Sequence, residues 1–333
     1  MTDNPTHTAT AASTDLLLQL RDLSKTFPVK GGVLGRAVGG VRAVDRVSLE
    51  IRRDEVFGLV GESGCGKTTL GRMILRLIEP TGGRIFFDGT DITGLDRGRM
   101  RAFRKRMQII FQDPFGSLNP RKTVDFIVGE PLRIDGQEGA KVREKVREMI
   151  QLVGLSADSP GRYPHEFSGG QRQRIGIARA LILHPEFLVA DEPVSALDVS
   201  IQAQILNLLM DLRERLSLTM LFISHDLRVV RSICDRVAVM YLGRVVEEGR
   251  VEDLYQRPVH PYTEELIRAI PEPDPELAIR GGGLAGEVPS PINPPPGCAF
   301  HPRCPLAREI CQQQTPELTP RQGEGHRAAC HIR

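Results

Sequence analysis

The chain has 333 residues, 40% of them hydrophobic, which is length enough for about two domains of ordinary size. Its 44 Lys and Arg against 42 Asp and Glu leave a net charge of +2, too balanced to argue for nucleic acid or an anionic membrane surface as the main partner. No run approaches the roughly 18 consecutive apolar residues of a membrane-spanning helix.

Residues 1–15 are polar and rich in Thr and Ala. They lack the basic region and apolar core of a secretory signal and read as a disordered tail. Leu16 to Leu20 and Val41 to Ile51 alternate as strands of an antiparallel subdomain do, with five Gly in residues 31–40 between them. Val56 to Val60 reads as a buried strand. It feeds Gly61-Glu62-Ser63-Gly64-Cys65-Gly66-Lys67-Thr68, a complete phosphate-binding loop. Backbone N–H groups along such a loop, here from Gly61, Ser63, Gly64, Cys65 and Gly66 to Thr69, point inward at phosphates. Lys67 reaches the β- and γ-phosphates and the Thr68 hydroxyl ligates Mg²⁺. Leu70, Met73, Ile74 and Leu77 then fall at i, i+3, i+4 and i+7, predicting a helix whose N-terminal dipole faces the phosphates.

From about residue 99 to 178 helical patterns interrupt the sheet. Val142, Val146, Met149, Ile150 and Val153 mark one apolar helix face. The region closes on Phe167-Ser168-Gly169-Gly170-Gln171. Ser168 is a good N-cap, and the two glycines let a phosphate approach the start of a helix running through Arg172 to Leu183. Phe187 to Ala190 is apolar throughout and bounded by Pro185 and Pro193, the pattern of a strand buried on both faces of a parallel sheet. Asp191 and Glu192 therefore sit at its C-terminal edge, where open α/β sheets bind ligands. Behind a phosphate loop, Asp191 holds Mg²⁺ through water and Glu192 polarises the water that attacks the γ-phosphate. Ile205, Leu209, Leu212 and Leu216 mark a core helix. Met220 to Ile223 forms a third strand ending in Ser224-His225-Asp226, which puts His225 on the same edge for a γ-phosphate contact.

After Gly249 the chain changes character, with 14 of the 24 prolines in the last 83 residues. Such density disfavours long helices and central strands, so the tail is either a linker or is pinned by something other than a hydrophobic core. Cys298, Cys304, Cys311 and Cys330, spaced C-x5-C-x6-C-x18-C, favour pinning. In a reducing compartment they are poor candidates for disulfides. Four thiolates make a full ligand set for Zn²⁺ or an iron–sulfur cluster, although neither the short C-x2-C knuckle nor the ferredoxin run is present, and free thiols stay open. Cys65 and Cys234 stand outside this set.

The motif set resembles that of the ATP-binding subunits of ABC transporters over roughly residues 16 to 250 without a gap. The resemblance implies an α/β fold: an ABC-type P-loop ATPase core (16–250) with an antiparallel β subdomain, a helical subdomain over about 99–178 and a Cys-bearing C-terminal extension (251–333). It makes Phe27 the aromatic that stacks on adenine. Gln112 becomes the glutamine that touches Mg²⁺ and reports nucleotide state to membrane subunits. Ser195-Ala196-Leu197-Asp198 is similar to the loop that crosses the dimer interface, and His225 to the switch histidine. Ser168-Gly169-Gly170-Gln171 is similar to the signature sequence, with Phe167 where leucine is commoner. In that family the signature helix faces the γ-phosphate on the other subunit, so one copy of each motif implies a dimer.

His260-Pro261-Tyr262-Thr263 and the stretch from Pro289 to Cys298 resemble the C-terminal extension of oligopeptide/dipeptide importer ATPases. In that family the four tail cysteines are associated with a [4Fe–4S] cluster. The runs from Gly170 to Ala180 and from Gly116 to Arg121 resemble the second of the family's two ATPase subunits. The implied function is ATP hydrolysis driving import of di- or oligopeptides, with ATP, Mg²⁺ and a [4Fe–4S] cluster (or Zn²⁺) as cofactors. The implied complex pairs this chain with a different ATPase, two transmembrane permeases and an external peptide-binding protein, at the cytoplasmic face of the membrane. Import of nickel or another small solute by the same architecture is the alternative. A nucleic-acid ATPase of this type would carry two cassettes, a long coiled coil or basic insertions, and none is visible. Intact Lys67, Glu192 and His225 argue against a noncatalytic regulatory cassette.

Overall fold

The computed structural model describes residues 15–31, 36–270, 286–321 and 325–333, so residues 1–14 of the expected disordered tail and part of the glycine-rich stretch lie outside it. In chain order, β1 (Leu16–Gly31), β2 (Arg36–Arg52) and β3 (Val56–Val60) precede α1 (Lys67–Ile74). β4 (Gly82–Phe87), β5 (Thr90–Asp91), α2 (Arg97–Arg106) and β6 (Met107–Ile110) lead into α3 (Pro114–Ser117), α4 (Val124–Ile134), α5 (Ala140–Leu152) and α6 (Gly169–Leu181). Next come β7 (Phe187–Asp191), α7 (Val199–Leu216), β8 (Thr219–Ile223), α8 (Leu227–Ile233), β9 (Arg236–Tyr241) and β10 (Arg244–Arg250). The last elements are α9 (Val251–Gln256), α10 (Pro261–Arg268), α11 (Glu309–Gln313), β11 (Thr319–Pro320) and β12 (Arg327–Ala328).

Two sheets result. One is antiparallel, in the order β2-β1-β4-β5; the other has eight strands, β11-β12-β10-β9-β3-β8-β7-β6, parallel from β9 to β6. The central strands read as unbroken apolar runs because both of their faces are covered. Val56, Val60, Leu188, Ala190, Met220 and Phe222 join one core, shared with α4, α5 and α6. Their alternating neighbours Phe57, Leu59, Phe187, Val189, Leu221 and Ile223 join the other, shared with α1 and the antiparallel sheet. Gly58 lets α8 sit close against β3, since a Cβ there would lie 2.9 Å from Val230 Cγ1 and 3.2 Å from Cys234 Sγ. Among the described residues no helix is long and apolar enough to cross a membrane.

Three expectations change. The helix after the phosphate loop stops at Ile74, and Leu77 lies beyond it, 49% exposed. Arg76 takes the left-handed conformation (φ 52°) and its buried guanidinium donates to the Ile92 and Thr93 carbonyls, turning the chain away. Within the stretch 99–178, Met107–Ile110 is not helical but the edge strand of the large sheet, parallel to β7. Four residues with one glutamine among them carry too short a period to reveal a strand. The signature helix ends at Leu181, two residues before the expected Leu183.

The tail has anchors that its composition hides. β12 pairs with β10 (Glu247 opposite Ala328, Glu248 opposite Arg327), extending the core sheet. Glu247, fully buried, accepts from the backbone N–H groups of Val259 and His260, both at 2.8 Å, and pairs with His326 at 2.7 Å. Glu248, equally buried, pairs with Arg236 and, at 2.6 Å, with Arg327. Phe300 packs edge-on to Tyr241 at 5.4 Å and against Tyr262 at 5.3 Å between ring centroids. A buried carboxylate is tolerated only when its oxygens are satisfied, and here tail and core satisfy them together.

Candidate nucleotide and thiol sites

β3, β7 and β8 run parallel, so their carboxyl ends meet at one edge, and β6 delivers Gln112 there as well. The phosphate loop passes between β2 and β9 with no room to spare. A Cβ on Gly61 (φ 151°) would lie 2.1 Å from the Met240 carbonyl oxygen, and one on Gly66 (φ 109°) 2.0 Å from that of Ala43. Both positions therefore require glycine. The pocket over the loop is lined by Ser63, Gly64, Gly66, Lys67, Thr68 and Thr69, by Gln112 and Glu192, and by Ala43, Gly243 and Pro291 among others. Lys67 Nζ donates to the carbonyls of Gly61 (2.8 Å) and Glu62 (3.0 Å) and lies 3.8 Å from Cys65 Sγ. Burial pushes the Cys65 thiol above its ordinary pKa.

Thr68 Oγ1 donates to Asp191 Oδ1 at 2.9 Å, joining the two side chains expected around Mg²⁺. Asp191 is 1% exposed, its Oδ2 has no hydrogen-bond partner, and burial raises its pKa. A buried carboxylate oxygen left without a partner is costly, and a divalent cation with oxygen ligands satisfies it, so this pair fits Mg²⁺. Glu192 Oε2 accepts from Gln112 Nε2 at 2.9 Å and lies 3.3 Å from His225 Nδ1. Its backbone is left-handed (φ 47°), fixed by its N–H donating to the Ile223 carbonyl at 3.0 Å. Gln112, Glu192 and His225 thus meet although 113 positions separate the first from the last.

Other expected site residues lie elsewhere. Ser168 caps α6, accepting from Gln171 N–H at 3.3 Å while its own N–H donates to Gln171 Oε1 at 3.0 Å. Neither Ser168, Gly169, Gly170 and Gln171 nor the exposed Asp198 lines this chain's own phosphate pocket. Gly170 faces α7, where a Cβ would meet Ile201 Cγ2 at 2.5 Å. Phe27 is half-exposed with the Lys25 ammonium 5.1 Å from its ring centroid; the pocket is lined instead by Val41, its partner across the β1–β2 pair.

Cys298, Cys304, Cys311 and Cys330 all line one small cavity beside His260, His301 and His331. Burial raises the Cys298 thiol to about 11 and that of Cys304 above its usual value. Among the described residues no group of three or more His, Cys, Asp or Glu side chains is arranged to hold a metal ion. The donor chemistry fits a four-thiolate centre; the arrangement of the thiols does not by itself make one.

Sequence reasoning missed the tail's reach into the nucleotide pocket. Pro291 lines it, Tyr262 Oη accepts from the Glu62 N–H at 2.9 Å, and Arg303 grips the Glu62 carboxylate at 2.8 and 3.0 Å. Tyr262 and Pro291 lie in the two stretches that carried the tail resemblance, but no local signal in the sequence marks Arg303.

The ABC transporter family model matches residues 44–195, and that of the oligopeptide/dipeptide transporter C-terminal region matches residues 246–311. The oligopeptide transport ATP-binding protein AppF of Bacillus subtilis (strain 168) is 52% identical over 327 residues, 97% of this chain and 99% of the relative. A putative peptide import ATP-binding protein of Brucella ovis, BOV_A0347, is 56% identical over 316 residues, 94% of this chain and 97% of the relative. The dimeric post-hydrolysis state of the ATP-binding cassette MJ0796, bound to ADP and Pi, superposes with a TM-score of 0.63 at 29% identity, covering 71% of this chain and 99% of that one.

Proposed function

The chain belongs to the ABC transporter ATP-binding family, in the branch with an oligopeptide/dipeptide-type C-terminal region, and from that membership we propose that it hydrolyses ATP to drive peptide import. The observation that carries the chemistry is the meeting of Thr68 with Asp191, and of Glu192 with Gln112 and His225, at the mouth of the phosphate loop. Loop amides of Gly61 and of Ser63 to Thr69, with the Lys67 ammonium, bind the phosphates. Thr68, Asp191 and Gln112 would hold Mg²⁺, which when bound neutralises phosphate charge. Glu192 orients the attacking water and takes up its proton, while Gln112 and His225 fix the carboxylate.

Ser168 to Gln171 and Asp198 act across an interface on nucleotide held by a second, different ATPase subunit. The lining of the chain's own pocket supports this, since these residues take no part in it. Two membrane permeases and an external peptide-binding protein complete the complex, with this chain at the cytoplasmic face. Peptide rather than nickel is supported by what relatives such as AppF are described as transporting. The test is the complex reconstituted in vesicles. Peptide-charged binding protein should raise ATP hydrolysis several-fold and labelled peptide should accumulate; accumulation of nickel and not of peptide would reverse the substrate assignment.

The four tail cysteines carry the second part of the proposal, a structural [4Fe–4S] cluster, supported by their convergence on one cavity. Cys298, Cys304, Cys311 and Cys330 would each give one thiolate, adding a cross-link to the anchors of the tail. Anaerobically purified protein is expected to be brown, with about four iron and about four sulfide per chain, and Cys304→Ser to lose the colour. Stoichiometric zinc without iron would replace the cluster by a Cys₄ zinc site, and protein free of any metal would remove it.

A further inference from the structure

The residue between Gly61 and Ser63 has all its polar groups tied. The Glu62 N–H donates to Tyr262 Oη (2.9 Å), its carbonyl accepts from Lys67 Nζ (3.0 Å), and both its carboxylate oxygens accept from Arg303, at 2.8 Å from Nη1 and 3.0 Å from Nη2. Two of these three ties come from beyond residue 250. Tyr262 is fully buried in the first turn of α10, and Arg303, its side chain 4% exposed, directly precedes Cys304. The two are held to each other through Tyr241, whose ring lies 4.6 Å from that of Tyr262 and whose hydroxyl lies 3.4 Å from Arg303 Nη1. Pro291, also from the tail, lines the phosphate pocket itself.

We infer that the C-terminal extension is a working part of the nucleotide site, with Arg303 and Tyr262 as positioning residues that set the phosphate loop through Glu62. The inference rests on the reading of this pocket as the ATP site. Two physical effects carry it. A phosphate loop works by aiming its amides inward, and the Tyr262 hydroxyl fixes the peptide plane between Gly61 and Glu62, hence the direction of the amides that follow. Glu62 also puts a carboxylate on the loop meant for a polyanion, next in sequence to Ser63, which lines the pocket. Arg303 neutralises it and holds it aside with a bidentate, shielded pair, the strong form of charge-assisted hydrogen bond.

The experiment uses the full-length chain and measures ATP and ADP dissociation constants together with KM and kcat of the assembled complex. Arg303→Ala leaves an unpaired carboxylate on the phosphate loop and frees the loop there, and should weaken ATP binding about tenfold, the factor expected for losing a charged hydrogen-bonded pair. KM should rise in step while kcat at saturating ATP stays within about twofold, because the groups around Glu192 are untouched. Adding Glu62→Gln to Arg303→Ala should recover most of the affinity, since it removes the repulsive charge. Tyr262→Phe keeps the ring packing and should cost about threefold, the loss of one neutral hydrogen bond. Arg333→Ala, which breaks a 2.6 Å pairing with Glu264 elsewhere in the extension, should change neither constant.

ATP affinity unchanged in both Tyr262→Phe and Arg303→Ala would overturn the inference, and should Arg303→Ala fail to fold, unchanged affinity in Tyr262→Phe and in Arg303→Gln, which removes the charge but keeps most of the side chain, would do the same. So would an equal loss in Arg333→Ala, which would make the effect one of general docking. Wild-type chain that binds no ATP would instead remove the nucleotide-site reading on which the inference stands.

Discussion

Glu192→Gln should abolish most hydrolysis while leaving ATP binding intact. The substitution is nearly isosteric, so the left-handed backbone at 192, held by the Ile223 carbonyl, has no reason to move. The phosphate cradle from Gly61 to Thr69 and the Thr68–Asp191 pair are separate groups, so the nucleotide dissociation constant should stay within about twofold. What disappears is the carboxylate that Gln112 and His225 approach at 2.9 and 3.3 Å, and with it the group proposed to accept the proton of the attacking water. Loss of such a group commonly costs ~10²–10⁴ in rate. Single-turnover hydrolysis in the assembled complex reads the chemical step directly. A rate within a few-fold of wild type would take the role away from Glu192.

The parts of this site that the sequence shows are those with a local physical cause. Gly61 and Gly66 are demanded by close backbone approaches, so the loop admits only glycine at those two positions. Phe187 to Ala190 is apolar at every position because alternate side chains enter two different cores. Once the order of strand, loop and helix is known, Asp191, Glu192 and His225 follow as residues at strand ends. The end of α1 is less legible: Arg76 stops the helix through contacts with Ile92 and Thr93, which no helical pattern encodes. β6 hides for lack of length.

The tail is where composition misleads. Prolines at that density announce irregular backbone, and the backbone is irregular, but it is anchored on groups that a local reading does not connect. Glu247 and Glu248 look like surface residues of an ordinary strand, yet both are fully buried, with His326 and Arg327 some 80 positions away as their partners. Arg303 and Glu62 are separated by 241 positions. Such pairs exist only once the chain has folded, and they add to the packing of Tyr262 and Phe300 on the core. These anchors order residues 286–321 and 325–333 without any contribution from the four cysteines, and the proposed cluster would add to a scaffold already fixed.

Ser168→Arg should stop turnover at the partner's phosphate loop and not at this chain's own. Ser168 is exposed at the start of α6 and is not part of the lining of the pocket that holds Lys67 and Glu192, so an arginine there should leave this chain's nucleotide site unobstructed. It would project from the helix start that the signature reading assigns to the neighbouring γ-phosphate, filling the space and displacing donors that should stabilise charge there. Removal of one such stabilising donor costs about 10²–10³ in rate, and obstruction of the site adds to it. The lost cap is a smaller matter, worth ~1 kcal/mol of helix stability. Ser168→Ala separates the two effects, because it removes the cap without adding bulk and should retain measurable turnover. Mixed complexes with the change in this subunit alone, followed by nucleotide trapping at each loop, make the comparison. Unchanged hydrolysis at the partner's loop would mean that the signature of this chain does not reach across the interface.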